Sequence, residues 1–140
     1  MSSTHRIDEP GAPLLFASGA PGLVVTDVDS TLISQEVIEE LAEAAGTREQ
    51  VAAVTARAMN GELDFAESLR ERVATLRGVP QSVFADVLAR ITPTTGAREL
   101  IDAVHAAGGH FGVVSGGFEE VVAPLASSLG IDFYAANRLE

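Results

Sequence analysis

Two aspartates one residue apart, Asp27 and Asp29, close the apolar run Leu23-Val24-Val25-Thr26 and are followed by the hydroxyl residues Ser30 and Thr31. The run suits a buried parallel strand, which places both aspartates where the strand leaves its sheet, the edge at which open α/β sheets bind ligands. Side chains two apart on a strand point the same way, so both carboxylates can face one spot. Two anions held together call for a cation, and hard oxygen ligands favour magnesium. Asp27 and Asp29 are therefore the expected metal ligands. A solvated strand end is the plainer alternative, and an Asp-x-Asp pair without its apolar lead-in would not decide between them. A second group, Ser115-Gly116-Gly117, follows the apolar residues Phe111 to Val114. A turn of this kind between strand and helix presents a hydroxyl and free backbone N–H groups, which suit a phosphate oxygen. Taken alone, it could equally be a tight connection.

The rest of the chain has to position these two groups. After Ile33 the pattern turns helical for a long stretch before any second strand. Ser34 is the expected cap of a first helix with Val37, Ile38, Leu41 and Ala45 on one face, stopped by Gly46. Thr47 with Gln50 has capping-box spacing for a second helix, carrying Val51 and Val54 and ending near Met59-Asn60-Gly61. Asp64 with Glu67 has the same spacing for a third, whose apolar face is Phe65, Leu69, Val73 and Leu76. Pro80 opens a fourth with Val83, Phe84, Val87 and Leu88. Together they make a helical cap over the site. Beyond Pro93 an α/β alternation resumes: a helix with Leu100, Ile101 and Val104, a strand near 111–114, a helix over 118–129 containing Pro124, and a short strand near 132–135.

Composition limits the alternatives. The 140 residues are 46% hydrophobic, enough for one core, and the formal charge of −11 argues against nucleic acid or anionic membrane as partner. Cysteine is absent, which excludes a disulfide, a thiolate zinc site and a cysteine nucleophile. Residues 1–22 lack a basic start followed by a sustained apolar stretch, and no segment approaches the roughly twenty apolar residues of a membrane span. A cytoplasmic location is expected. Pro10, Pro13 and Pro21 among glycines and serines suggest that residues 1–22 are a disordered arm.

Four segments carry a resemblance: Thr26-Asp27-Val28-Asp29-Ser30-Thr31-Leu32, Ile91-Thr92-Pro93-Thr94, Val113-Val114-Ser115-Gly116-Gly117-Phe118 and Ala136-Asn137-Arg138-Leu139. Over residues 23–140 the chain resembles the haloacid dehalogenase superfamily of aspartate-nucleophile phosphotransferases, and within it the phosphoserine phosphatase family. The resemblance implies an α/β fold: a Rossmann-like parallel sheet core over 23–33 and 92–140, incomplete, with an inserted four-helix cap over 34–91. It also implies a magnesium-dependent hydrolysis of O-phosphoserine to serine and phosphate, the last step of serine biosynthesis.

Cleaving a stable monoester requires an in-line nucleophile, charge neutralisation on the phosphoryl oxygens and a proton for the leaving alkoxide. By the resemblance Asp27 attacks phosphorus, while Asp29 protonates the leaving oxygen, activates water and lends its backbone carbonyl to the metal. Ser115 and Gly116 then hold the phosphoryl group. Glu36, Met59, Phe65 and Arg72 occupy the substrate-selecting places. Their charges make sense for a phosphoamino acid, whose ammonium suits Glu36 and whose carboxylate suits Arg72, with Met59 and Phe65 excluding water. Met59 and Phe65 could equally be plain core, and Arg72 a solvated helix position.

The chain also departs from that pattern, for it contains no lysine. The superfamily uses a lysine beyond the second phosphate motif and a later Gly-Asp-Gly-type loop whose aspartate completes the metal site. Residues 1–140 by themselves are therefore expected to be nearly inactive. With its pairing strands missing, the first strand is expected to be an uncovered apolar edge through which the chain associates with itself. Two other readings compete: a phosphate-binding or assembly module without turnover, and a phosphotransferase of the same superfamily with another substrate. A phospho-receiver domain fits less well, because no helical insert follows its acceptor strand.

Overall fold

The computed structural model describes residues 19 and 21–140, so the expectation of an N-terminal arm lies almost wholly outside the described residues. Strands β1 (Leu23–Thr26), β2 (His110–Phe118) and β3 (Phe133–Asn137) form a parallel sheet in the order β1-β2-β3. Parallel neighbours need long crossovers. The crossover from β1 to β2 contains helices α1 (Val37–Ala45), α2 (Arg48–Met59), α3 (Phe65–Ala74), α4 (Val83–Arg90) and α5 (Ala97–Ala106), and that from β2 to β3 contains α6 (Glu119–Leu129). No helix among the described residues is long and apolar enough to cross a membrane.

Among the described residues the sheet is covered on one face only. Phe111 and Val113 of β2 pack with Ile101 and Val104 of α5 and with Val121 and Leu125 of α6 in one apolar cluster that continues into the cap through Leu41, Val51, Val83 and Val87. The alternate residues look the other way: Leu23 is 54% exposed, Val25 46% and Val114 54%. The expectation of a buried first strand therefore holds for one face alone, because β1 is an edge and helices lie on one side of it. On that open face the Phe133 ring lies across Gly112, where an added Cβ would come within 2.0 Å of the ring. Any larger residue there would have to displace the half-exposed Phe133 ring.

Two caps differ from the sequence reading. Helix α1 begins at Val37, three residues beyond Ser34, which lies in a bend and gives its backbone N–H to the Thr92 carbonyl at 3.0 Å. Thr47 does precede α2 but makes no side-chain cap, and its Oγ1 instead accepts from Thr75 Oγ1 at 3.4 Å, a tertiary partner for the group that a local cap would use. The box at Asp64 and Glu67 forms as expected, with bonds of 2.8 and 3.0 Å. Phe65 departs from the expected apolar face of α3: it stands 65% exposed, while Ser68 is buried.

Where the helical insert leaves and rejoins the α/β part, the two passes of chain are stapled together. Ile33 and Pro93 form an antiparallel bridge, and Thr94 N–H donates to the Leu32 carbonyl at 2.8 Å. Gln35 reaches across with both ends of its amide, accepting from Thr92 N–H at 3.0 Å and donating to the Arg90 carbonyl at 3.1 Å. This fixes the start of α1 relative to β1, and with it the place where the insert meets the aspartate loop.

Candidate active site

Asp27 turns the chain out of the sheet. Its backbone is extended (φ −73°, ψ 164°), and its Oδ1 accepts the Val28 N–H at 2.8 Å. Residues 28–32 then make one wide turn, closed by the Ile33 N–H on the Val28 carbonyl at 3.1 Å. Inside this turn Ser30 is left-handed (φ 52°, ψ 17°), which costs a non-glycine residue roughly 1–2 kcal/mol. Two bonds hold it there: its N–H donates to the Gln35 carbonyl at 3.0 Å, and its hydroxyl to Glu36 Oε1 at 2.7 Å. The contortion lets Val28 and Leu32 remain buried while Asp27 is exposed and Asp29 half-buried.

Asp29 does work that the helix's own residues do not. Glu36, the residue preceding α1, makes no side-chain cap, and the Val37 N–H instead donates to Asp29 Oδ1 at 3.1 Å. A carboxylate at a helix N-terminus is favoured by the peptide dipoles. The other oxygen, Oδ2, faces the Ser115-Gly116-Gly117 turn: a Cβ built on Gly117 would lie 3.6 Å from it and 3.1 Å from Ser115 Oγ. Gly116 in turn lies beneath Phe65, whose ring would be 3.2 Å from a Cβ there. The end of β2, the aspartate loop and the start of α3 thus converge on one place.

Burial pushes the Asp29 carboxyl up to about 6, and the negative charges of Glu36 and Asp27 add to the rise. The Val37 N–H and the Arg72 guanidinium pull the other way. Between the ordinary carboxylate value and about 6, the folded chain keeps a proton that the unfolded chain has released, so stability falls as pH rises through that window. With divalent cations removed, Asp29→Asn is therefore expected to melt a few degrees above the unsubstituted chain at neutral pH. The difference should vanish near pH ~4, where both side chains are neutral. Thermal unfolding in chelator at the two pH values measures this, and equal melting temperatures at neutral pH would reject it.

Of the eight residues selected from sequence, seven lie in or beside this cluster: Asp27, Asp29, Glu36, Phe65, Arg72, Ser115 and Gly116. Arg72 donates through Nε to the Ser68 carbonyl at 3.3 Å and acts on Asp29 by charge. Met59 ends α2 at 85% exposure, and no hydrogen bond or core packing joins it to the others among the described residues. The cleft lined by Leu69, Arg77, Phe84, Glu120 and Arg138 holds none of the eight. Three contributors were not picked out from sequence: Ser30, Gln35 and Asn137, whose Nδ2 donates to the Gly116 carbonyl at 2.9 Å. The Ala136-Asn137-Arg138-Leu139 segment was the available signal for Asn137. For Gln35 there was none, since its partners lie far along the chain. His105 meets Asp132 Oδ2 at 2.8 Å, and Asp132 also accepts the Phe111 N–H at 2.7 Å.

The Asp27 carboxylate and a backbone carbonyl of the same short loop are oxygen donors that fit a magnesium ion, which commonly takes one or two carboxylates and fills its remaining positions with water and phosphate. No larger group of ligating side chains is gathered among the described residues.

Comparison with known proteins points the same way as the geometry. The chain is 54% identical over 123 residues to a phosphoserine phosphatase of Streptococcus thermophilus, covering 88% of this chain and 57% of that protein. It is 54% identical over 120 residues to one of Lactococcus lactis, covering 86% of this chain and 56% of the other. It therefore spans about half the length of these curated relatives. A solved phospho-aspartyl intermediate analogue of phosphoserine phosphatase superposes with TM-score 0.77 at 42% identity, over 86% of this chain and 58% of that one. A substrate-bound phosphoserine phosphatase complex gives 0.78 at 42% identity, over 85% and 57%. The haloacid dehalogenase-like hydrolase model matches residues 24–140. With the parallel sheet, the aspartate loop at its edge and the helical insert between β1 and β2, the chain belongs to the haloacid dehalogenase-like hydrolase family.

Proposed function

We propose that these residues form the nucleophile-bearing part of a magnesium-dependent phosphatase that hydrolyses O-phosphoserine to serine and phosphate, the last step of serine biosynthesis. The observation that carries this reading is the opposition of Asp29 Oδ2 to the Ser115-Gly116-Gly117 turn, with Asp27 two residues away in the same loop. In this reading Asp27 attacks phosphorus and becomes an aspartyl-phosphate while Asp29, protonated, gives its proton to the departing serine oxygen. Asp29 then takes a proton from the water that releases phosphate. A carboxyl that titrates near 6 suits both halves of that cycle. The Ser115 hydroxyl and the Gly116 N–H bind phosphoryl oxygens.

Asp27, with Asp29 through its backbone carbonyl, would hold the magnesium ion, which when bound supplies positive charge against the phosphoryl oxygens. Glu36 and Arg72 are assigned to the ammonium and carboxylate of the amino acid, and Phe65 with Met59 to excluding water. The helical insert over 34–91 acts as the cap. The partner is thus a small molecule rather than nucleic acid or membrane.

The test is hydrolysis of O-phosphoserine with magnesium, together with borohydride trapping of the acid-quenched protein. Phosphate release with label confined to Asp27 is the expected result. Absence of both release and trapped label, in every preparation that contains these residues, would overturn the reading. A second reading, phosphate binding with little turnover by residues 1–140 alone, is favoured by the lack of lysine and separates from the first in the same assay.

A further inference from the structure

We infer that Asn137 is a positioning residue of the phosphate turn: its side-chain amide fixes the Gly116–Gly117 peptide and, through that peptide, aims the Ser115 hydroxyl at the phosphoryl group. The inference rests on the proposed reading of the site and adds a residue to it.

The Gly116 carbonyl and the Gly117 N–H belong to one planar peptide unit and point to opposite sides of it. Both ends are gripped. Asn137 Nδ2 donates to the Gly116 carbonyl at 2.9 Å, and the Gly117 N–H donates to Ser115 Oγ at 2.9 Å. A serine hydroxyl carries one donor and two acceptor positions. Since Gly117 occupies an acceptor position of Ser115, the hydroxyl proton is directed away from Gly117 and remains free for a ligand oxygen. Ser115 is buried, and a buried donor without a partner is costly, so this proton favours whatever anion enters.

The sheet cannot do this job itself. The β2–β3 ladder pairs Val114 with Ala135, shifts register, and resumes only at Phe118 with Asn137. Residues 115–117 lie in that interruption. Nor can the turn stiffen itself, because Gly116 and Gly117 have no side chains, and ones added there would crowd Phe65 and Ser115. Asn137 is the β3 residue level with the end of the interruption, and only its donor end can face a carbonyl. If the amide were reversed, two acceptors would oppose each other.

The experiment compares Asn137→Ala and Asn137→Asp with the unsubstituted protein in three measurements: the inhibition constant of inorganic phosphate, KM and kcat on O-phosphoserine, and amide hydrogen exchange by NMR. Asn137→Ala is expected to weaken phosphate and raise KM about three- to tenfold, the effect of one lost exposed hydrogen bond, with a smaller change in kcat. Exchange at Gly117 should quicken by a similar factor while amides in β1 and α6 stay as they were. Asn137→Asp, of nearly the same shape but with an acceptor opposite the carbonyl, should weaken phosphate more than Asn137→Ala does. Phosphate constants unchanged in both variants would overturn the inference and leave the proposed function standing. Faster exchange throughout the molecule would also overturn it, by making Asn137 a plain stability residue. An unsubstituted protein that neither binds phosphate nor hydrolyses a phosphomonoester would instead overturn the reading beneath it.

Discussion

On the proposed reading, Asp27→Asn is expected to remove turnover and phosphoenzyme together, by at least about 10⁴-fold, because an amide is no nucleophile toward phosphorus. The fold should be untouched. Asp27 is exposed, and the bond its side chain accepts, from the Val28 N–H at 2.8 Å, is one that an asparagine oxygen also accepts. Asp29→Asn behaves differently. Losing a general acid and base costs about 10²–10⁴-fold, yet some phosphoenzyme should form slowly and then persist, since the group that activates water has gone too. The amide oxygen of the substituted side chain would still cap α1 at Val37, so this variant also serves as a control for structure. Rapid-quench trapping of labelled phosphoenzyme, set beside steady-state phosphate release, separates the two. Steady-state hydrolysis retained by Asp27→Asn, once deamidation is excluded by mass, would remove the nucleophile assignment.

For Arg72→Ala the expected result is a change of preference rather than a general loss. Charge-assisted bonds to a substrate carboxylate are worth about 1.5–3 kcal/mol, so kcat/KM for O-phosphoserine should fall about 10- to 100-fold. An aryl phosphate, which has no carboxylate, should lose no more than a few-fold. The structure adds a second consequence. Arg72 holds the Asp29 carboxyl down against burial and its acidic neighbours, so removing it moves Asp29 further up and shifts the pH profile of turnover in the same direction. Parallel profiles for both substrates, with equal losses, would mean that Arg72 serves the phosphate or the fold. Its bond from Nε to the Ser68 carbonyl at 3.3 Å makes a helix-supporting role the natural competitor.

How much of this was legible in advance depended on the distance over which each signal acts. The Asp64 and Glu67 box needed only the first turn of one helix, and it forms as expected because every atom involved lies within a few residues. The Asp27 and Asp29 pair was singled out by the two-residue alternation of a strand, but β1 ends at Thr26 and both residues belong to the turn beyond it. Periodicity likewise located α1 to α6 and the strands to within a few residues, with Gly46 and Gly130 closing α1 and α6 in left-handed geometry.

What failed had partners elsewhere in the chain. Ser34 carries the right side chain for a cap, but its backbone is tied to Thr92 and α1 starts only at Val37, while the Thr47 hydroxyl meets Thr75 instead. Apolar alternation could not say that β1 would have one open face, because that follows from how many elements lie against the sheet, whereas its place at the edge was expected from the resemblance. Glu36 and Arg72 were placed by resemblance, whereas the influence of both on the Asp29 proton required their charges to be brought near it by folding. Gln35 meets Thr92 across 57 positions with no local pattern to mark it, and Asn137, though inside a segment of the resemblance, meets Gly116 across 21 positions that only the fold brings together. The sequence by itself determined the chemistry available, two acids, a serine and a pair of glycines at strand ends, because residue type and spacing suffice for that. Only the tertiary structure decided which carboxyl keeps its proton and which peptide is clamped, because burial, charge and hydrogen bonding act between atoms that the chain brings together only when folded.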